Sequence, residues 1–412
     1  QTPNLDKLSE IGVRFDNCFS QPLSTPSRVQ LMTGKYKNKN YSCFGHLNQK
    51  EKTFAHLAKD AGYTTMIAGK WQLGRNRNLP NHFGFDHYCL WQLSYDRMIK
   101  ERYAAPLIEQ DGNIKLYSNN EYGPDIFTQY VIDFIEENKT KPFFIYYPMV
   151  LVHNPFYPTP QSDVWKDPSM REVRNTANFT KMVEHVDKNI NMIFNKLENL
   201  NLLNNTIIIF IGDNGTNRNI RTTMKDGTIV RGGKGLTIDT GVRVPMIVYW
   251  GKNNNTKHEC ADMIDFTDFM PTFAEAMNIK VPKQWDIDGQ SFLPQIKGEK
   301  GKSREWVFCH YDSRFNASAS KNAKQFFRDM RYKLYSDGNF YDTIKDPKET
   351  NPIAKGKGNA EAEKSRRKLE RLFANIPAWK VGDPAIPMCI LPEFPLLQTP
   401  KNISLEQILH SY

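Results

Sequence analysis

Short apolar runs recur along this chain, each broken by a turn that carries polar chemistry, and that alternation limits the fold most narrowly. Phe143-Phe144-Ile145-Tyr146-Tyr147-Pro148-Met149 reads as a buried strand, and Thr64 to Ala68 as a short β-branched one. Thr206 to Ile211 and Val244 to Tyr249 are further apolar strands. Such runs have strand length and fall far short of the ~20 residues needed to span a bilayer. Between them lie stretches of helical periodicity. Residues 4–12 carry Leu5, Leu8 and Ile11, Thr53 to Asp60 carries Phe54, Leu57 and Ala58, and Asp125 to Asn138 carries Ile126, Tyr130 and Phe134. Asn178 to Leu200 and Asp268 to Met277 continue the series. The alternation predicts an α/β fold: a mostly parallel central sheet sandwiched by helices. After about residue 297 the pattern changes. Trp306–His310, Gln325–Asp329 and Tyr332–Ser336 read as successive antiparallel strands, Gly338-Asn339 as a turn, and Ala360 to Phe373 as a basic helix. The expected organisation is therefore an α/β domain over 1–297 and a small antiparallel-sheet-plus-helix subdomain over 298–412, ending in a Pro-rich tail.

The turns that end these strands carry the candidate chemistry. Val13 to Phe19 reads as a strand delivering the chain to Ser24-Thr25-Pro26-Ser27-Arg28, which continues Val29-Gln30-Leu31-Met32-Thr33-Gly34. Pro26 suits the first turn of a helix, so Ser24 is expected at or before the N-cap, where backbone N–H groups favour anions. Arg28 lies four residues on, on the same helical face, and adds a permanent positive charge. Alone, such a string is usually an ordinary helix start. Lys70 follows the strand Thr64–Ala68 in Gly69-Lys70-Trp71-Gln72-Leu73-Gly74, at the carboxyl end that faces the crevice of an open α/β sheet. His153 follows the strand that begins at Phe143; a lone His there is most often structural. Thr206–Ile211 ends in Gly212-Asp213-Asn214-Gly215, two oxygen-bearing side chains of the kind hard cations need, though a D-N-G turn by itself says little. Arg231-Gly232-Gly233-Lys234-Gly235 follows, with glycines that allow close backbone approach. Asp239 and Arg243 come next, and Arg243 reads as a structural ion-pair former.

Charge and cysteine content restrict the function further. A net charge of +10 suits anionic partners. No nucleic-acid motif accompanies it and the lysines are scattered, so a polyanionic substrate or plain solvation is favoured and a nucleic-acid partner is not. The six cysteines, Cys18, Cys43, Cys89, Cys260, Cys309 and Cys389, show no metal spacing and read as buried thiols rather than a disulfide framework, with one or two bridges left open.

Taken together, S-x-P-S-R-x-x-L-x-T-G at Ser24, G-K-W-x-L-G at Lys70, the His153 segment, G-D-N-G at Asp213 and G-G-K-G at Lys234 resemble, in family order, the type I sulfatases of the alkaline phosphatase superfamily. The resemblance runs over nearly the whole chain. Phe340-Tyr341-Asp342 with Asp346-Pro347-Lys348-Glu349 extends it into the C-terminal part. A serine at the first motif position looks like the bacterial serine-type group, in which a radical-SAM maturase converts the residue to formylglycine. By that resemblance Ser24 is the nucleophile precursor, Arg28, Lys70 and Lys234 bind the sulfate group, and His153 protonates the leaving oxygen. Asp213 and Asn214, with the Ser24 oxygen, are implied ligands of Ca²⁺ or Mg²⁺. His310, Asp312 and Arg314 match a loop that often reads the sugar. Gln72 stands where the family has His, and cannot accept a proton near neutral pH. The chain begins at Gln1, so a processed or truncated start is expected, and the family strand bearing two adjacent metal-binding aspartates is not in the sequence.

The implied function is hydrolysis of a sulfate ester on a sulfated carbohydrate or aryl sulfate, by a periplasmic or secreted protein with no membrane span. Two other readings compete. One is a phosphatase or phosphonate hydrolase of the same superfamily. The other is a catalytically silent sulfoglycan-binding protein, which Gln72 favours.

Overall fold

The computed structural model describes residues 1–376 apart from 42, 95–99, 119, 254–257 and 314–322. Arg314 and the tail from 377 onward lie outside the described residues. The chain forms two compact units, one from 1–8 and 53–206, the other from 9–52 and 207–376 among the described residues.

The first unit holds a five-stranded sheet in the order Asn113–Leu116, Leu107–Gln110, His87–Trp91, Thr64–Lys70, Phe143–Tyr146. Thr64–Lys70 pairs in parallel with both neighbours, and the other two strands add an antiparallel edge. Helix Phe54–Asp60 starts at Thr53, whose side chain accepts from the Ala55 N–H at 3.2 Å while His56 reaches back to the Thr53 N–H. That cap satisfies donors a helix start otherwise leaves open. The helix buries Phe54, which packs edge-on to Tyr146 at 5.2 Å and against Phe144 at 5.3 Å. Helices Gly123–Glu137 and Asn178–Asn199 complete the unit. The strand Phe143–Tyr146 is half-buried throughout rather than fully buried.

The second unit holds a four-stranded sheet in the order His258–Asp265, Val13–Phe19, Arg243–Trp250, Ile207–Ile211. Val13–Phe19 and His258–Asp265 are parallel. Arg243–Trp250 runs antiparallel to both of its neighbours, so this sheet is mixed. The reason lies in its connection. After Ile211 the chain turns through loops, a small hairpin and one helical turn, Asp239–Val242, with no crossover helix to return it to the opposite edge. Phe19 faces both Arg243 and Asp265, and Ile211 faces Met246. The carboxyl ends of three strands therefore gather at one sheet edge, where Arg243–Trp250 begins.

The second unit also carries the antiparallel subdomain expected from the sequence, with strands Val307–Tyr311, Lys324–Arg328, Tyr332–Tyr335 and Phe340–Asp342 in that order. Helix Ala360–Phe373 buries Ala362 and Leu369 against Phe308, Phe327 and Phe340 on one face of this sheet. On the other face Phe326, Tyr335 and Cys309 pack with Phe19, Val242 and Met263 of the larger sheet. Cys18, Cys89, Cys260 and Cys309 are buried free thiols, whereas Cys43 is disulfide-bonded, so mostly thiols with a bridge is the outcome.

Candidate functional site

The site residues divide between the two units. In the second unit, Ser24 is the first residue of helix Ser24–Thr33, and Leu23 is the N-cap. The helix thus starts two residues before Pro26 and Ser24 lies inside its first turn, a small shift from the expected cap position. Ser24 is 4% exposed and Arg28, one turn on, is 2% exposed. Gly34 closes the helix in a left-handed conformation, φ 68°. Ser27 donates to the Gln21 carbonyl at 2.9 Å and accepts from the Gln21 N–H at 3.1 Å, which pins the approach to the helix.

Beneath that helix runs a buried polar chain that pattern reading missed. The Gln30 amide donates to Asp265 Oδ1 at 2.8 Å, and the Gln21 amide donates to Gln30 Oε1 at 2.7 Å. The Cys309 thiol donates to Gln21 Oε1 at 3.1 Å. Burial pushes the Asp265 carboxyl up to about 6 and the Cys309 thiol up to about 12. The only sequence trace of this chain is two glutamines and an aspartate at otherwise apolar positions.

Asp213 and Asn214 leave the end of Ile207–Ile211 at the same sheet edge, and the Asn214 amide donates to Asp213 Oδ1. Asp213 is exposed and Asn214 half-buried. The Gly212 N–H donates to the Pro245 carbonyl at 3.1 Å and the Gly215 N–H to the Gly241 carbonyl at 2.9 Å, so the D-N-G turn is tied to the start of Arg243–Trp250. A Cβ on Gly215 would lie 2.0 Å from the Thr240 oxygen, so glycine is required there. Lys234 is held by its N–H to the Thr216 carbonyl at 3.0 Å, and the Gly235 N–H donates to Pro22 at 2.9 Å, beside the approach to Ser24. This unit therefore brings Ser24, Arg28, Asp213, Asn214 and Lys234 to one sheet edge. Asp239 pairs with Arg328 and Lys333 rather than with Arg243, which is exposed on its strand. Burial works to raise the Asp239 carboxyl, but the two cations hold it below the usual range.

His310 and Asp312 correct an expectation. His310 is not on a loop: it lies within Val307–Tyr311, 4% exposed, with its Nδ1 2.7 Å from the Gln325 amide across the ladder. The strand runs one residue further than its pattern suggested. Asp312 follows it and is also buried, its carbonyl accepting from Lys37 at 3.4 Å.

In the first unit, Lys70 is the last residue of its strand and is 7% exposed. Its N–H donates to the Pro148 carbonyl at 2.9 Å, on the segment that leads to His153. Parallel pairing of Thr64–Lys70 with Phe143–Tyr146 sends both carboxyl ends to one edge, so Lys70 and His153 sit on neighbouring turns. His153 Nδ1 lies 2.5 Å from the Asn154 carbonyl oxygen. Tyr103 donates to the His153 carbonyl at 2.5 Å and lies 3.1 Å from the Val150 carbonyl oxygen. Gln72 is exposed with φ 48°, a left-handed backbone uncommon for a side-chain-bearing residue. Among the described residues no group of three or more His, Cys, Asp or Glu could hold a metal.

A hydroxyl in the first turn of a helix, a buried arginine one turn on and an oxygen-donor turn on one α/β sheet edge define a site suited to anionic esters. The sulfatase family model matches residues 1–279, and the chain belongs to that family. A second family model, for the C-terminal part of N-sulphoglucosamine sulphohydrolase, matches 233–375. The chain is similar to an arylsulfatase of Hemicentrotus pulcherrimus, 30% identical over 74% of this chain and 59% of that protein. It is also similar to an N-acetylglucosamine-6-O-sulfatase of Bacteroides thetaiotaomicron, 25% identical over 90% of this chain and 81% of that protein. Among solved structures, BT4656 in complex with D-glucosamine-2-N,6-O-disulfate superposes with a TM-score of 0.70 and 23% identity, covering 91% of this chain and 92% of that one. The chain thus spans about three fifths of the first relative's length and about four fifths of the second's. No helix among the described residues is long and apolar enough to cross a membrane.

Proposed function

We propose that the protein hydrolyses sulfate esters of a sulfated carbohydrate, with Ser24 as the residue from which the nucleophile is made. The observation that carries the reading is the buried Ser24–Arg28 turn at a sheet edge shared with Asp213, Asn214 and Lys234. Oxidation of Ser24 to formylglycine by a serine-type maturase would supply a hydrated aldehyde, whose second hydroxyl lets sulfate leave. Ser24 fits that role as a small buried hydroxyl in the first turn of a helix. Arg28 and Lys234 offset charge on the sulfuryl oxygens, as does Lys70 on its strand end. His153 holds the proton for the leaving alcohol, its ring oriented by the Asn154 carbonyl. A divalent cation, Ca²⁺ or Mg²⁺, would add charge neutralisation. Asp213 and Asn214 offer hard oxygen donors that fit part of its shell. Gln72 supplies hydrogen bonding to substrate without proton transfer. His310 and Asp312, buried behind the edge, support the substrate side rather than exposing a sugar-reading loop. The 1–297 portion would carry the catalysis, in a periplasmic or secreted protein.

Mass spectrometry of the peptide holding Ser24, on protein co-expressed with a serine-type maturase, tests the reading. Oxidation removes two hydrogens and lowers the mass by about two daltons. Release of sulfate from 4-methylumbelliferyl sulfate, in preference to phosphate from the matching aryl phosphate, is expected of the modified protein. Binding of sulfated glycan with no release after full conversion would instead leave the sulfoglycan-binding reading standing.

A further inference from the structure

The segment from Thr216 to Leu236 carries more positive charge than the proposed chemistry uses. It holds Arg218, Arg221, Lys225, Arg231 and Lys234, and Asp226 is its one acid. Asp226 is already satisfied, accepting from the Thr228 N–H at 3.0 Å and hydroxyl at 2.6 Å at the hairpin tip. Arg221 and Arg231 are direct partners in the two-stranded ladder, so their side chains leave on the same face. Both are exposed. Like charges opposed in this way destabilise a ladder, and neither they nor Arg218 pair with a carboxylate among the described residues.

The cations are also tethered to one another. Arg231 Nε donates to the Arg218 carbonyl at 2.7 Å, and Arg218 Nε donates to the Lys234 carbonyl at 2.9 Å. The rest of the Arg218 fork points toward Gly235, where φ is +81° and no side chain fills the space. Arg218 Nη2 lies 3.2 Å from the point a Gly235 Cβ would occupy, with Leu23 Cδ2 and the Tyr311 hydroxyl each 3.9 Å from it. Leu23 directly precedes Ser24. Burial pushes the Tyr311 phenol up to about 12 against the pull of Arg218, so at neutral pH it remains an O–H donor.

The geometry points to a second anion subsite, in which Arg218, Arg221 and Arg231 with the Tyr311 hydroxyl bind a further sulfate group of the saccharide cleaved at Ser24. This rests on the sulfatase reading above. Planar guanidinium forks match tetrahedral oxyanions in paired hydrogen bonds, and the uncompensated Arg221–Arg231 pair gains a counter-charge. The protein therefore selects polysulfated over monosulfated sugars.

Calorimetric titration with sucrose octasulfate and with glucose 6-sulfate tests this without needing turnover. The wild-type protein is expected to bind the octasulfate far more tightly. Arg218→Ala, and the double change Arg221→Ala with Arg231→Ala, should each cut that preference about tenfold or more, the scale of a lost charge-assisted pair. Arg218→Lys keeps the charge but not the fork and should recover less than half of it on a logarithmic scale. Melting temperatures close to wild type show that the variants fold. An equal loss in Lys225→Ala, at the hairpin tip, would mean diffuse attraction and overturn the subsite, as would an unchanged preference in Arg218→Ala. Turnover of 4-methylumbelliferyl sulfate by the matured wild-type protein reports separately on catalysis. Binding through Arg218 with no turnover keeps the subsite while sinking the catalytic reading.

Discussion

Replacing Arg304 by Met tests how the scaffold under the Ser24 helix is held. The Arg304 guanidinium donates to both Asp268 oxygens, through Nε at 2.7 Å, and to Thr267 Oγ1 and the Tyr36 hydroxyl at 3.0 Å each. Its side chain is 6% exposed and that of Asp268 is 1% exposed. Methionine has a similar unbranched reach and no charge, so the change removes the cation while filling much of the space. Breaking one side of a buried ion pair costs about 3–5 kcal/mol, because the remaining charge stays desolvated. At about 2–4 °C per kcal/mol for a unit of this size, the melting temperature should fall by about 6–20 °C at pH 8. The loss should depend on pH. Asp265 is pushed up by burial and pulled back by Arg304, and lies at about 6. A carboxyl raised in the folded state costs stability when ionised. That cost is full above the folded value and fades as pH falls toward the unfolded value near 4. Removing Arg304 takes away the restraint, so the deficit of Arg304→Met should be greatest at pH 8 and clearly smaller at pH 5. Thermal unfolding followed by circular dichroism across pH 5–8 measures this. A deficit below about 1 kcal/mol at pH 8, or one that grows toward pH 5, would refute the argument for a buried charge.

Gly69 has φ +100°, and a Cβ there would lie 2.5 Å from the Pro148 oxygen, so Gly69→Ala should destabilise by about 2 kcal/mol or more and displace Lys70; denaturant unfolding and aryl-sulfate kinetics should both register it. Tyr103→Phe removes the hydroxyl that donates to the His153 carbonyl and should lower stability by about 1–3 kcal/mol, with kcat reduced more than KM is raised. His153→Ala should slow release of poor alkyl leaving groups by about 10²–10⁴-fold and of a nitrophenyl leaving group much less, which a leaving-group series would show. Chelation with EDTA should lower activity, with recovery on adding Ca²⁺ or Mg²⁺, if Asp213 and Asn214 hold the cation.

The strands Val13–Phe19 and the helix Ala360–Phe373 were readable to the residue, because each buries one face and its period shows in the chain itself. The same holds for the turn after Ile211, where glycine and polar residues interrupt an apolar run, whereas the strand expected to end at Ala68 runs on to Lys70. Ser24, Lys70, His153, Asp213 and Lys234 could be nominated from short motifs, since each motif is a local backbone geometry with a reactive side chain attached. What the sequence alone determined about this protein is therefore its set of elements, the α/β class, and the string of motifs that resembles a sulfatase. Tertiary structure decided the rest. Arg243–Trp250 runs antiparallel to both neighbours because of the path its connection takes, which no residue in that strand encodes. His310 is buried because Gln325 meets it across a ladder, and Asp239 chooses Arg328 over the arginine nearest in sequence. The chain from Asp265 through Gln30 to Gln21, and the fork of Arg218 beside Gly235, join residues far apart along the chain. Burial, ion pairing and like-charge opposition are properties of who meets whom in space, and sequence patterning reports only which face of each element is apolar.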